Sequence, residues 1–199
     1  VPGFLVVRSP GCSVISLRPL DGGTYDQLFD DYHLLITGDG AIYSSTDDWT
    51  QVLAHTWNRN TGALGIALCC AYDARIYGDL SFDLGTFPPT KLQVESTALL
   101  LALLSRKLGI PIDAGHIMTH AEAADLDGYG PWMAGTPQFE KWDLYQLQDY
   151  DGVWKPGGDV LRGKALYYTH FLPFYKAQTH ILNIPIRFCH VHGLFLPLC

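Results

Sequence analysis

The stretch from Pro88-Pro89-Thr90 to Gly109 and Pro111 constrains the fold more than any other part of the chain. Proline is tolerated at a helix start but not in its interior, and glycine favours its end, so these residues bracket one helix. Thr90 and Gln93 have the spacing of a capping box, in which side chains and backbone of the first turn satisfy each other's donors. Leu92, Val94, Ala98, Leu101, Leu104 and Leu108 recur at helical spacing. Between Ala98 and Leu104 the helix is apolar almost all round. Such a helix has to be buried against a sheet.

The β-prone segments for that sheet are present. Phe4 to Val7 reads as a short buried strand ended by Pro10 and Gly11. His33 to Thr37 and Ala41 to Ser44 flank Gly38-Asp39-Gly40, a tight hairpin turn. Leu64 to Cys70 is a continuous apolar run, as a central strand requires, and Ile117-Met118 predicts a further strand ending at His120. Thr24 is placed to cap a short helix at Tyr25 to Phe29, and Phe139 to Leu147 reads as a final short helix. Trp154 to Gly158 has the look of a linker, and the tail after Lys164 is rich in Tyr, Phe, Leu and His without a clean period. The expected organisation is an α/β domain over residues 1–150 with a C-terminal segment, 151–199, to which no role attaches.

Composition narrows the function. With 199 residues, 48% of them hydrophobic, the chain can bury a sizeable core within one domain. A net charge of -7 leaves no basic excess to displace counterions, which argues against nucleic-acid binding. The five cysteines include no CxxC pair, so neither a disulfide framework nor a zinc ribbon is indicated, and Cys69 and Cys70 read as packed core thiols. The first residues lack the basic and apolar regions of a secretory signal. No apolar run reaches the roughly 18–20 residues of a membrane span.

Chemistry concentrates between His120 and Leu147. This polar, Gly/Pro-rich segment holds His120, several carboxylates and Lys141-Trp142-Asp143. Imidazole nitrogen and carboxylate oxygen are donors that a catalytic zinc takes. A lysine two residues before such a carboxylate can neutralise a developing oxyanion. The bland alternative is an acidic surface loop. Asp127 is the second candidate carboxylate, although Gly128 and Gly130 make it a natural turn residue. His33 and His116 read as structural, Cys189-His190-Val191-His192 as an irregular tail, and Tyr129, Trp132 and Trp142 as possible walls of a sugar groove.

Five segments in order resemble the zinc-dependent N-acetylmuramoyl-L-alanine amidases, which are similar in fold to the peptidoglycan recognition proteins. They are Tyr32-His33-Leu34-Leu35-Ile36, then Asp39-Gly40-Ala41-Ile42-Tyr43, then Ala54-His55-Thr56 with Asn60 and Leu64-Gly65-Ile66, the Pro-Pro-Thr helix, and His120 with Lys141-Trp142-Asp143. The resemblance spans roughly residues 4–147. It implies a mixed central β-sheet flanked by helices, and hydrolysis of the amide between N-acetylmuramic acid and L-alanine in peptidoglycan. It implies zinc held by His120 and Asp143, with Lys141 and Tyr32 catalytic. His55, Asn60 and Trp142 would line the substrate. Action would be at the bacterial cell wall, as for a phage endolysin or an exported enzyme, with peptidoglycan or muropeptide as partner. One departure matters. In Val6-Val7-Arg8-Ser9, Arg8 stands where the family's first zinc histidine is expected, and a guanidinium cannot ligate a cation. A zinc-free peptidoglycan-binding module is therefore the alternative.

Overall fold

The computed structural model describes residues 2–8, 31–46, 48–71, 74–77, 81–129 and 143–175. Its centre is a five-stranded mixed sheet built from β1 (Pro2–Arg8), β2 (Leu34–Ile36), β3 (Ile42–Ser44), β4 (Ala63–Cys69) and β7 (Ile117–Thr119), in the order β3-β2-β4-β1-β7. Only β2 and β4 pair in parallel. β4 is central, with neighbours on both edges. Ile66, Ala67 and Leu68 are fully buried, which explains the unbroken apolar run. The β2–β3 hairpin forms as expected, with Leu34 opposite Ser44 and Gly40 at φ 81 in its turn.

The helix α1 (Lys91–Leu108) carries the expected capping box at Thr90 and Gln93 and ends in left-handed Gly109. Gln93 does more than cap. Fully buried, its side-chain amide donates to the carbonyls of Ile36 (3.0 Å) and Cys69 (3.1 Å), tying the helix start to β2 and β4. Val94, Ala98, Leu101 and Leu104 are buried against the sheet. Leu92 and Leu108, at the two ends of the periodic stripe, are exposed.

Three readings are corrected. The residues after His120 form a helix, α2 (His120–Leu126), rather than a loop, because Thr119 and Glu122 make a second capping box. The expected helix ending at Leu147 is absent over 143–147. Leu144 takes φ 54, which breaks any helix, and Gln146–Gln148 is strand β8. The expected linker is strand β9 (Trp154–Pro156), paired antiparallel with β8. Two short strands, β5 (Arg75–Ile76) and β6 (Phe82–Asp83), pair with each other. The helix α3 (Gly157–Tyr175) follows β9 and packs along α1. Val160, Leu161 and Ala165 join the same hydrophobic cluster as Leu101 and Ile117. Burying these side chains contributes about 25 cal/mol per Å² of apolar surface removed from water. Among the described residues no helix is long and apolar enough to cross a membrane.

Candidate active site

His120 is the first residue of α2 and directly follows β7. The capping box fixes this junction: Glu122 N–H donates to Thr119 Oγ1 (3.2 Å), and Thr119 N–H donates to Glu122 Oε2 (2.8 Å). The imidazole is thereby aimed from a rigid strand end. Its Nδ1 lies 2.6 Å from Asp143 Oδ2 across 23 positions of sequence. His120 is 1% exposed and Asp143 2%. A backbone bond from Ala121 N–H to the Asp143 carbonyl (3.4 Å) holds the two segments together. The turn behind Asp143 is clamped from α3. Gly157 N–H donates to the Tyr145 carbonyl (2.9 Å), and a Cβ at Gly157 would overlap the Leu144 carbonyl oxygen.

Tyr129 leans on this pair, its ring centroid 6.3 Å from that of His120. Its hydroxyl is buried and has no hydrogen-bond partner among the described residues. Burial, with the negative charges of Asp127 and Asp143, pushes its pKa up to about 12 against the pull of Arg59. The phenol is therefore neutral at any physiological pH, a donor rather than an anion. Trp57, mostly exposed, meets it edge-to-face at 5.3 Å. Arg59 grips Asp127 through Nε (2.5 Å) and Nη2 (2.5 Å), while its Nη1 reaches Met118 Sδ (3.6 Å). These contacts lock the loop over residues 57–59 onto the turn after α2. Asp127, the second candidate carboxylate, is engaged in that lock.

A second polar group lies under the β2–β4 pair. His33 is fully buried, accepts from Gly65 N–H at Nδ1 (2.9 Å) and donates from Nε2 to the Gln51 carbonyl (3.1 Å). That pattern defines a neutral imidazole with its proton on Nε2, and burial lowers its pKa. His33 is structural, as expected. His55 is 2% exposed, and burial, then the neighbouring His33, hold its pKa at about 3. A Cβ at Gly65 would stand 2.6 Å from His55 Cδ2, so glycine is what admits the ring. Tyr32 is buried with its ring 6.2 Å from that of His55. Asn60 Oδ1 accepts from Thr56 N–H (2.7 Å), closing the loop that carries Trp57.

The structure thus brings His120 and Asp143 together and sets Tyr32 beside His55. Lys141, Trp142, Trp132, Cys189, His190 and His192, and the helix expected at Tyr25 to Phe29, lie outside the described residues. His116 bonds Asp113 (2.7 Å) in the turn before β7, away from His120. Arg8 is not the strand position beside His120. Thr119 faces Leu5 and Ile117 faces Val7, so Arg8 lies at the opposite end of β7. At about 3.3 Å per residue, it is roughly 10 Å along β1 from Leu5. His120 and Asp143 are of the donor types that zinc takes, but at 2.6 Å their facing atoms are hydrogen-bonded to each other, and a protein zinc site takes at least one more ligand. Among the described residues no cluster of three His, Cys, Asp or Glu occurs. Sequence reasoning missed Arg162. It donates to the Ile117 carbonyl (2.9 Å), to both Glu122 oxygens (2.8 and 2.7 Å) and to Asp159 (2.6 Å), bracing the strand and helix that present His120.

Sheet, helices and site define a mixed α/β domain with a buried His–carboxylate pair at a strand-to-helix junction. The family model for N-acetylmuramoyl-L-alanine amidase matches residues 16–131, more than half of the chain, and the chain belongs to that family. The matched range includes Tyr32, His55, Asn60 and His120, begins after Arg8 and ends before Lys141. Membership implies amidase activity on peptidoglycan, or binding to it, at the bacterial cell wall, and members are typically zinc-dependent. Among curated proteins and among solved structures nothing matches the chain.

Proposed function

We propose that this chain hydrolyses the amide between N-acetylmuramic acid and L-alanine in peptidoglycan, with His120 and Asp143 as two ligands of a catalytic zinc. The observation that carries the reading is the 2.6 Å approach of His120 Nδ1 to Asp143 Oδ2 in a solvent-excluded place. A zinc bound there supplies Lewis acidity and acidifies a water molecule toward a pKa of about 7. The remaining work falls to the chain. Tyr32 orients the attacking water and exchanges its proton. Lys141 offsets charge growing on the amide oxygen. The neutral Tyr129 phenol offers a hydrogen bond to the substrate, and His55, Asn60 and Trp142 border the glycan and stem peptide.

The test is metal analysis joined to a release assay on muropeptides. Stoichiometric zinc and a freed stem peptide with an L-alanine amino terminus are expected. Asp143→Ala should lose the metal, whereas Lys141→Ala should keep it and lose turnover. A protein that neither retains added zinc nor frees stem peptide is not this hydrolase. A second reading, a zinc-free wall-binding module, is supported by the donor set itself, since no third His, Cys, Asp or Glu joins His120 and Asp143 among the described residues. Sedimentation with purified cell walls but no peptide release in excess zinc would select it.

A further inference from the structure

A cavity of about 950 Å³ lies between the β5–β6 hairpin, the first turns of α1, the β8–β9 hairpin and α3. It shares no lining residue with the site around His120. Its size falls in the range of small-molecule sites.

Five aromatic rings line its wall, and most are held in place. Trp154 meets Phe82 edge-to-face at 4.9 Å. Tyr168 donates to Glu95 Oε2 (2.7 Å), and Lys164 donates to Glu95 Oε1 (2.6 Å). The same ammonium sits 3.1 Å from the centroid of the Tyr150 ring. Trp154 is still 42% exposed and Tyr167 57%, so flat apolar surface faces the opening. Rings fixed this way bind without losing much side-chain freedom.

Charge decides the ligand class. Lys164 is 7% exposed and already engaged by a carboxylate and a ring, so it makes a poor anion site. Asp149 is engaged by Lys155 (2.5 Å). The lining carries Asp83, Glu95 and Asp149 against Lys91 and Lys164, and Lys155, just outside it, offsets the remaining charge through its ion pair with Asp149. Asp83 and Lys91 present one charge of each sign, so the lining favours neither a cationic nor an anionic ligand. A purely apolar one would strip water from Asp83 and Gln148 without replacing its hydrogen bonds. A sugar meets both demands, since its C–H faces pack on aromatic rings while its hydroxyls donate and accept at the rim.

We infer that this cavity is a second binding site, separate from the hydrolytic one, for a neutral carbohydrate of two or more rings. It stands whether or not the chain cleaves amides. The test is calorimetric titration of the full chain with an N-acetylglucosamine tetramer and with cellotetraose, beside amide NMR. Binding of at least one sugar is expected, with shifts at Gly85 and Gly152. Trp154→Ala or Tyr167→Ala, both at exposed positions that leave the fold intact, should weaken it about tenfold. No binding of either sugar, shifts confined to Gly128 and Tyr129, or undiminished affinity in both variants would overturn the inference. Muropeptide release is scored separately, so an inactive amidase leaves this result unaffected.

Discussion

His120 and Glu122 stand two residues apart on one short helix and enter opposite kinds of polar pair, the first buried and the second partly buried. His120 meets a single carboxylate oxygen at 2.6 Å, and both partners can change protonation. Glu122 meets Arg162, whose guanidinium never loses its charge and whose donors also reach Ile117 and Asp159. The first pair belongs to the candidate site. The second is a permanent brace beside it. The same turn of helix therefore carries both the candidate site and its support.

The largest effect is expected where the brace is removed with its helix. Truncation after Lys155 deletes buried Val160, Leu161 and Ala165 together with Arg162. The product should show no cooperative thermal transition by circular dichroism; a sharp transition would show that α3 is dispensable. Next, Arg162→Met strands the Glu122 carboxylate and should cost about 3 kcal/mol in urea unfolding. Asp143→Asn should cost less, about 1–2 kcal/mol, because neutral His120 can keep a hydrogen bond. A larger loss at Asp143 than at Arg162 would reverse the comparison.

How far this division could be read in advance follows from where each signal lies. The helix at Lys91–Leu108 was legible because cap, stop and apolar period are all local. The β2–β3 hairpin was legible for the same reason. His120 and Asp143 are 23 positions apart, and donor chemistry and family likeness, not a local structural pattern, link them in the sequence. Arg162 and Glu122 are 40 apart, with no pattern joining them. The capping box at Thr119 and Glu122 is likewise a local pattern of the sequence. β8 was hidden by Leu144, whose left-handed conformation follows from the tertiary clamp and not from its side chain.

Acid sharpens the contrast further. Burial lowers the pKa of His33, and holds that of His55 at about 3, against an ordinary 6.5. Between those values the unfolded chain binds more protons than the folded one. Stability is therefore full above about pH 6.5 and declines as pH falls toward about 3. The urea midpoint should drop between pH 7 and pH 5, and His55→Gln should flatten that slope; an unchanged slope would mean that His55 is not the buried base described. The smallest effect belongs to the Arg59–Asp127 pair, which is partly exposed. Arg59→Ala should cost about 1 kcal/mol or less.

The two glycines that begin α3 carry a mechanical consequence. Gly157 rides directly on the Leu144 carbonyl, one residue from Asp143, and Gly158 rides on the Glu122 carboxylate, two residues from His120. A force or displacement applied to the far end of that rod is delivered through backbone contact to both halves of the pair at once. Whatever grips the protein by α3 holds a lever whose short arm ends at the acid–imidazole contact.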